Sequence, residues 1–223
     1  MDHSDSDEIW AARAQLVSYS NRLLADGLAA GSAGNISVRA GDVVAITPSG
    51  ISYTELRPAD ICLVARDGTE LASTEAPSTE TPMHLAVYTA TGAAAVVHTH
   101  SPEVIALSAS RPELPAIHYQ ISGLGGPVRV APYRRFGSAG LAEAAVEGIA
   151  GRSAVILRNH GAVTCGRDLA QAYDRALLLE WLAHTYRMAL SYGEPAILSP
   201  AELDEVAAEI RRRRYGERRS GTA

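Results

Sequence analysis

Cysteine is scarce in this chain, and positive charge is not in excess. Only Cys62 and Cys165 occur among 223 residues, which excludes a disulfide-rich scaffold and a zinc site built from cysteines. Both lie in apolar segments, so we expect two buried thiols. The formal net charge is −5, and this acidic balance provides no electrostatic basis for binding nucleic acid.

Long apolar runs are also missing. No apolar stretch approaches the roughly 18 residues that a membrane-spanning helix needs. The opening residues, MDHSDSDE, are acidic where a secretory signal peptide is basic, and no apolar segment of the kind found in signal peptides follows them. We therefore expect a soluble, cytoplasmic protein without a membrane partner.

The residues that are present suffice for one sizeable core, since 47% are hydrophobic and 20% are charged. We expect a disordered start at residues 1–8, a single domain at residues 9–214 and a mobile tail at residues 215–223. The spacing of apolar residues predicts a first helix from Ile9 to about Ala30. Strand and helix patterns then alternate without regular βαβ spacing, which favours a three-layer α/β/α or α+β domain whose sheet is not all parallel.

Two histidines stand at the end of an apolar strand pattern, in AAVVHTHSPE. His98 and His100 are two residues apart, so their side chains point to the same side of the strand. Two neutral imidazoles at this spacing are suited to bind one Zn²⁺ as adjacent ligands. His160 also follows an apolar strand, and this placement allows it to arrive beside the first two. On the residues alone, a structural role for the pair remains open, and we interpret His84 and His184 as structural.

Three short stretches, SAGNIS (32–37), TPSG (47–50) and APSTE (76–80), combine Gly or Pro with hydroxyl and amide residues. Such loops present backbone N–H groups and hydroxyls that suit a phosphate, although ordinary turns have the same composition. Glu80 follows the last of these stretches. It is either a metal ligand or general acid/base, or an acidic residue favoured in the first turn of a helix.

Together these stretches resemble the class II aldolase/adducin family over residues 10–216, and most closely its members that act on L-fuculose 1-phosphate. The matching motifs are GNIS, TPSGI, PSTE, VVHTHSP, IHYQI, APYRRFG, NHGAV and RRYG. The resemblance implies a central, mainly antiparallel sheet with helices on both sides. It also implies a homotetramer whose active sites lie between subunits.

The resemblance implies that His98, His100 and His160 bind one catalytic Zn²⁺ per subunit, with Glu80 as a further ligand when substrate is absent. Another divalent ion, such as Mn²⁺ or Co²⁺, is compatible with the same residues. Glu80 is the expected acid/base. The residues expected to hold the substrate phosphate are Asn35, Ser49, Gly50, Ser78 and Thr79.

Three aromatic residues receive roles from the resemblance alone. Tyr119 is expected to reach the active site of a neighbouring subunit, and Phe136 to line the aldehyde pocket. Tyr215 matches a tyrosine on a mobile tail that closes over the substrate and assists proton transfer.

The expected activity is that of a class II, metal-dependent aldehyde-lyase. It would reversibly cleave a ketose 1-phosphate to dihydroxyacetone phosphate and a short aldehyde such as L-lactaldehyde. A 5-deoxyribulose-1-phosphate aldolase and an L-ribulose-5-phosphate 4-epimerase are alternatives, although that epimerase typically carries Asp where this chain has Glu80. A non-catalytic binding module like the adducin head is the alternative from another class, and the intact histidine set argues against it.

Overall fold

The computed structural model describes residues 7–71 and 73–213. Residues 1–6, most of the predicted disordered start, lie outside the described residues, as does the predicted tail with Tyr215. No helix in the described ranges combines the length and the apolar character that crossing a membrane requires.

One eight-stranded sheet forms the centre of the molecule. Its strands are β1 (Asn35–Ala40), β2 (Val43–Ile46), β3 (Cys62–Ala65), β4 (Ala95–Thr99), β5 (Glu113–Leu114), β6 (Val128–Ala131), β7 (Ala154–Leu157) and β8 (Gly161–Gly166). Their spatial order is β3-β2-β1-β4-β8-β7-β6-β5. Among the strand pairs of the described residues, β6–β7 alone is parallel, so the expectation of a mainly antiparallel sheet is confirmed.

Helices cover both faces of this sheet. They are α1 (Asp7–Ala25), α2 (Thr81–Thr91), α3 (Pro102–Ser110), α4 (Ala139–Ile149), α5 (Leu169–Tyr192) and α6 (Pro200–Arg213). Apolar residues of α1 and α5 pack against one face of β1, β2 and β4. Apolar residues of α2 and α4 pack against the other face. The three-layer α/β/α prediction is therefore confirmed.

The first helix differs from its predicted bounds at both ends. It begins at Asp7, so the last two residues of the predicted disordered start are helical. It ends at Ala25 rather than near Ala30, because Gly27 adopts a left-handed backbone with φ 70°. The Leu28 N–H donates to the Leu23 carbonyl, and the Gly27 N–H donates to the Leu24 carbonyl. These two bonds form the Schellman motif that terminates helices at a glycine.

Side-chain alternation along the central strands separates two environments. On β1, Ile36 and Val38 face α1, whereas Asn35 and Ser37 face α2. The pairing of β1 with β4 places Asn35 directly opposite His98. The polar face of β1 is thus brought beside the histidine-bearing end of β4.

Candidate metal centre and active-site cavity

Three histidine rings meet at one end of the sheet. His98 lies in β4, His100 follows the end of that strand, and His160 immediately precedes β8. The ring centroids of the three pairs are 4.8, 4.9 and 4.9 Å apart. The Nε2 atoms of His98 and His100 are 3.0 Å apart. Neighbouring strand ends therefore direct all three imidazoles to one point.

The close approach of β8 to β4 requires a glycine after His160. A Cβ atom on Gly161 would lie 2.0 Å from the Thr99 carbonyl oxygen, so no other residue fits there without moving the backbone. Asn159 adopts a left-handed backbone with φ 53°, which reverses the chain between β7 and β8. This tight turn delivers the His160 ring to the other two.

Glu80 completes the cluster from the opposite side. It is the residue at which α2 begins, but its side chain makes no capping hydrogen bond to that helix. Its Oε2 atom lies 3.0 Å from His98 Nε2, and its Oε1 atom lies 3.4 Å from His160 Nε2. The residue is only 5% exposed. The carboxylate is therefore directed at the imidazoles rather than at the helix backbone.

These side chains fit a divalent metal ion. The ligand atoms of Glu80, His98, His100 and His160 all lie within 4.8 Å of one another. Glu80 Oε1 is buried and has no hydrogen-bond partner. His98 Nδ1 lies 2.9 Å from the Ala162 carbonyl oxygen, to which it donates, so Nε2 is the ring atom that faces the cluster. Three imidazoles and one carboxylate form a donor set that suits Zn²⁺.

The protonation states of the cluster also suit a cation. Burial lowers the pKa of His100 to about 3 and the pKa of His160 to about 4. Burial alone would raise the pKa of Glu80, but the neighbouring His98 and a hydrogen bond from Asn35 bring it well below its ordinary value. At neutral pH Glu80 is ionised and the rings of His100 and His160 are neutral, the forms in which these groups bind metals.

A cavity of about 310 Å³ opens over Glu80, His100 and His160. Residues 32–35, 48–50 and 78–80 line one side of it and are here called the cavity loops. The Ser78 N–H donates to the Thr47 carbonyl, and the Ser49 N–H donates to the Ala76 carbonyl. These bonds hold the second and third cavity loops side by side.

The profile of a known family matches most of this chain. It is described as Class II Aldolase and Adducin N-terminal domain, and it covers residues 14–187. The chain belongs to the class II aldolase and adducin family.

Relatives within the family are similar over nearly the whole chain. The 5-deoxy-D-ribulose 1-phosphate aldolase of Bacillus thuringiensis serovar kurstaki is 38% identical over 201 residues, which are 89% of this chain and 94% of that protein. The L-fuculose phosphate aldolase of Escherichia coli K12 is 36% identical over 83% of this chain and 87% of that protein. A solved L-fuculose 1-phosphate aldolase structure superposes with a TM-score of 0.87 at 33% identity, covering 93% of this chain and 98% of that one.

These similarities confirm the predicted family, its fold and its enzyme class. The chain is a class II aldolase, that is, a metal-dependent lyase. The cluster of three histidines and Glu80 is a group of side chains suited to hold the metal ion of such an enzyme.

In this class II aldolase, the residues predicted to hold a phosphate all line the cavity. They are Asn35, Ser49, Gly50, Ser78 and Thr79. The Asn35 amide is partly engaged already, because its Nδ2 donates to Glu80 Oε2 at 2.9 Å and its Oδ1 lies 2.6 Å from His84 Nε2. One amide hydrogen of Asn35 remains available to a ligand. That these five residues bind a phosphate stays a prediction.

Phe136 also lines the cavity and is 60% exposed. Tyr133 and Arg134 line it as well, and the sequence patterns had given Tyr133 no role in the site. Arg134 adds a basic residue to the lining, beside three loop stretches that contain neither Lys nor Arg.

Tyr119 does not line this cavity. It is 49% exposed at the start of a 3-10 helix, Tyr119–Leu124, and its ring centroid lies 4.5 Å from that of His118. Its predicted role concerns the active site of a neighbouring subunit, and it stays a prediction. Tyr215 lies outside the described residues.

Proposed function

We propose that this enzyme reversibly cleaves a ketose 1-phosphate between carbons 3 and 4, which yields dihydroxyacetone phosphate and a short aldehyde. The observation that carries the proposal is the juxtaposition of Glu80 and three imidazoles with the hydroxyl-rich cavity loops. L-Fuculose 1-phosphate, which yields L-lactaldehyde, is the first candidate. The names of the Escherichia coli relative and of the superposed structure support it.

We assign Zn²⁺ to the cluster, held by His98, His100 and His160, with Glu80 as a further ligand in the absence of substrate. The donor set supports this assignment, because three neutral imidazoles leave the ion its full charge. When bound, the ion supplies Lewis-acid stabilisation for the negative charge that develops on the substrate oxygens.

Glu80 transfers the proton at the hydroxymethyl carbon of dihydroxyacetone phosphate, as a general base in condensation and a general acid in cleavage. Its unpartnered Oε1 atom supports this role, because that oxygen has no donor to displace. Ser49, Gly50, Ser78 and Thr79 hold the phosphate by hydroxyl and N–H groups, together with Asn35. Fixing the phosphate positions the reacting carbon, and such positioning contributes a large part of enzymatic rate.

The aldehyde side of the substrate faces Phe136 and Tyr133 in this proposal. A tyrosine must exchange the proton of the hydroxyl group on carbon 4, and the residues proposed for it are Tyr215 and a neighbouring subunit's Tyr119. The exposure of Tyr119 on a single chain supports a role at a subunit interface. We accordingly propose a homotetramer in the cytoplasm.

A second candidate substrate is 5-deoxyribulose 1-phosphate, which yields acetaldehyde. The Bacillus thuringiensis relative favours it, because that match covers 94% of the relative, compared with 87% for the Escherichia coli enzyme. Both candidate substrates end in a methyl group. The exposed ring of Phe136 suits such a group, since aromatic side chains provide apolar contact area.

The test is a substrate screen of the purified, zinc-loaded protein. The screen compares L-fuculose 1-phosphate, L-rhamnulose 1-phosphate, 5-deoxyribulose 1-phosphate and L-ribulose 5-phosphate. Release of dihydroxyacetone phosphate is monitored through a coupled enzymatic reduction. Release from at least one ketose 1-phosphate is expected. Epimerisation of L-ribulose 5-phosphate without any release would favour the epimerase, and an inactive protein that takes up no zinc would favour the binding module.

A further inference from the structure

A row of polar side chains is buried behind the metal centre. Asn35 and Ser37 lie on one face of β1, and His84 and Tyr88 follow Glu80 at intervals of four residues along α2. All are buried. Burying polar groups in a core costs free energy unless each has a hydrogen-bond partner. Here their side chains are partnered by one another and by Glu80.

The four contacts form a continuous series of hydrogen bonds. Tyr88 OH lies 2.7 Å from Ser37 Oγ, and Ser37 Oγ lies 2.7 Å from His84 Nδ1. His84 Nε2 lies 2.6 Å from Asn35 Oδ1, and Asn35 Nδ2 lies 2.9 Å from Glu80 Oε2. We call this series the hydrogen-bond relay. It connects the buried Tyr88 hydroxyl on α2 to the Oε2 atom of Glu80.

The direction of every bond in the hydrogen-bond relay follows from its carboxylate end. An ionised carboxylate only accepts, so Asn35 must turn its NH₂ group toward Glu80 and its oxygen toward His84. His84 must then carry its proton on Nε2. Burial lowers the pKa of His84 to about 3, so the ring is neutral and its Nδ1 accepts from the Ser37 hydroxyl.

We propose that His84 is a positioning residue for Glu80 and acts through the Asn35 amide. By holding Asn35 Oδ1, His84 prevents the amide from turning over, and the amide then holds Glu80 Oε2. The second oxygen, Oε1, is left without a hydrogen bond, 3.4 Å from His160 Nε2, to carry the substrate proton. This inference rests on the proposed function, because it assigns a purpose to the orientation of Glu80.

A purely structural role for His84 predicts a different result from a positioning role. If the ring only filled space, an apolar side chain of similar size would leave the folded enzyme's turnover unchanged. A positioning residue instead affects turnover while substrate affinity and metal content stay nearly constant. The variants His84→Leu and His84→Gln separate these cases, since a Gln amide can both donate to Asn35 and accept from Ser37.

The first experiment measures proton exchange at dihydroxyacetone phosphate in each zinc-loaded variant. For His84→Leu we expect kcat to fall on the order of 10- to 100-fold, as is typical when a side chain behind a metal ligand is lost. Zinc is expected to stay near one per chain, because the three imidazoles are intact. KM is expected to change much less than kcat, because Ser49, Ser78 and Thr79 still hold the phosphate. His84→Gln should recover part of the loss. An unchanged kcat in His84→Leu would overturn the proposal.

A matched control is His184→Gln. His184 is also a helical histidine, but its Nδ1 bonds to Glu103, away from the cavity. This variant should exchange protons at the wild-type rate. Tyr88→Phe removes only the far hydroxyl of the hydrogen-bond relay and is expected to have a smaller effect than His84→Leu. If His84→Leu does not fold, the tautomer of His84 in the wild-type protein decides the case, and the reversed tautomer would overturn the proposal.

The second experiment does not depend on activity. In the metal-free wild-type protein, nitrogen-resolved NMR of the imidazoles should show His84 in the Nε2-protonated tautomer, with Nδ1 unprotonated. The opposite tautomer would overturn the proposal. A wild-type protein that neither exchanges protons nor cleaves ketose phosphates would refute the proposed function alone, and the tautomer would still decide whether His84 orients Asn35.

Discussion

The two faces of β1 and β4 have different tasks, although their residues alternate along the same two strands. One face presents Ile36 and Val97 to the apolar side chains of α1 and α5. The other presents Asn35, Ser37 and His98 to α2 and the metal centre. Alternation along a strand thus allows adjacent residues to serve stability and chemistry separately. A shift of the β1–β4 register by one residue would exchange the two faces.

The largest effect on the chemical face is expected from His98→Ala. Zinc should fall from near one per chain to near zero, and aldol cleavage should fall to background, because one of three imidazole ligands is removed. The control His184→Ala should keep both. Zinc is measured by elemental analysis after dialysis. Full zinc retention in His98→Ala would contradict the assignment of this ring as a ligand.

Glu80→Gln should separate metal binding from proton transfer. The amide keeps the size of the side chain, and the three histidines keep the zinc, but the proton carrier is lost. We expect proton exchange at dihydroxyacetone phosphate to fall about 10²- to 10⁴-fold, the range typical for a general acid/base. Exchange is followed by NMR in deuterated water. A wild-type exchange rate in this variant would refute the role of Glu80.

Ile36→Ala tests the stability face of the same strand. Ile36 lies between Asn35 and Ser37 in sequence, but its fully buried side chain points to the opposite face and packs against α1. We expect the free energy of unfolding in urea to fall by about 2–5 kcal/mol. Zinc content and kcat of the folded fraction should stay near wild type. A selective loss of kcat without loss of stability would show that the two faces are not independent.

The smallest effect is expected at the rim of the cavity, from Phe136→Ala. Stability should change by no more than about 0.5 kcal/mol, because the ring is largely exposed. For the methyl-terminated substrates, kcat/KM should fall about 10-fold through lost apolar contact. The substrate screen measures this ratio. An unchanged ratio would remove Phe136 from the aldehyde pocket.

Some of this site was predictable because it is local. The His98-x-His100 spacing defines one side of one strand, and the strand ending before His160 predicted its placement at the same edge. Composition and family resemblance pointed to the cavity loops, whose binding of phosphate stays a prediction. Each of these signals requires only a few consecutive residues.

Other features depend on how distant segments pair and could not be predicted from local patterns. The contact of Asn35 with Glu80 depends both on the β1–β4 register and on the packing of α2 against the sheet. His84 was interpreted as structural from local sequence alone, whereas its hydrogen-bond partners lie 47 and 49 residues away in sequence. Arg134 enters the cavity through a loop without a periodic pattern. The position at which α1 ends depended on Gly27, rather than Gly31, forming the Schellman motif.

The central claim is that His98, His100 and His160 share one divalent cation with Glu80 beside it. Anomalous diffraction from crystals of the purified protein, collected at energies on either side of the zinc edge, tests it most directly. The account predicts one strong peak per chain within bonding distance of the three Nε2 atoms. A crystal of fully zinc-loaded protein with no peak there, or with its peak at other residues, would contradict it.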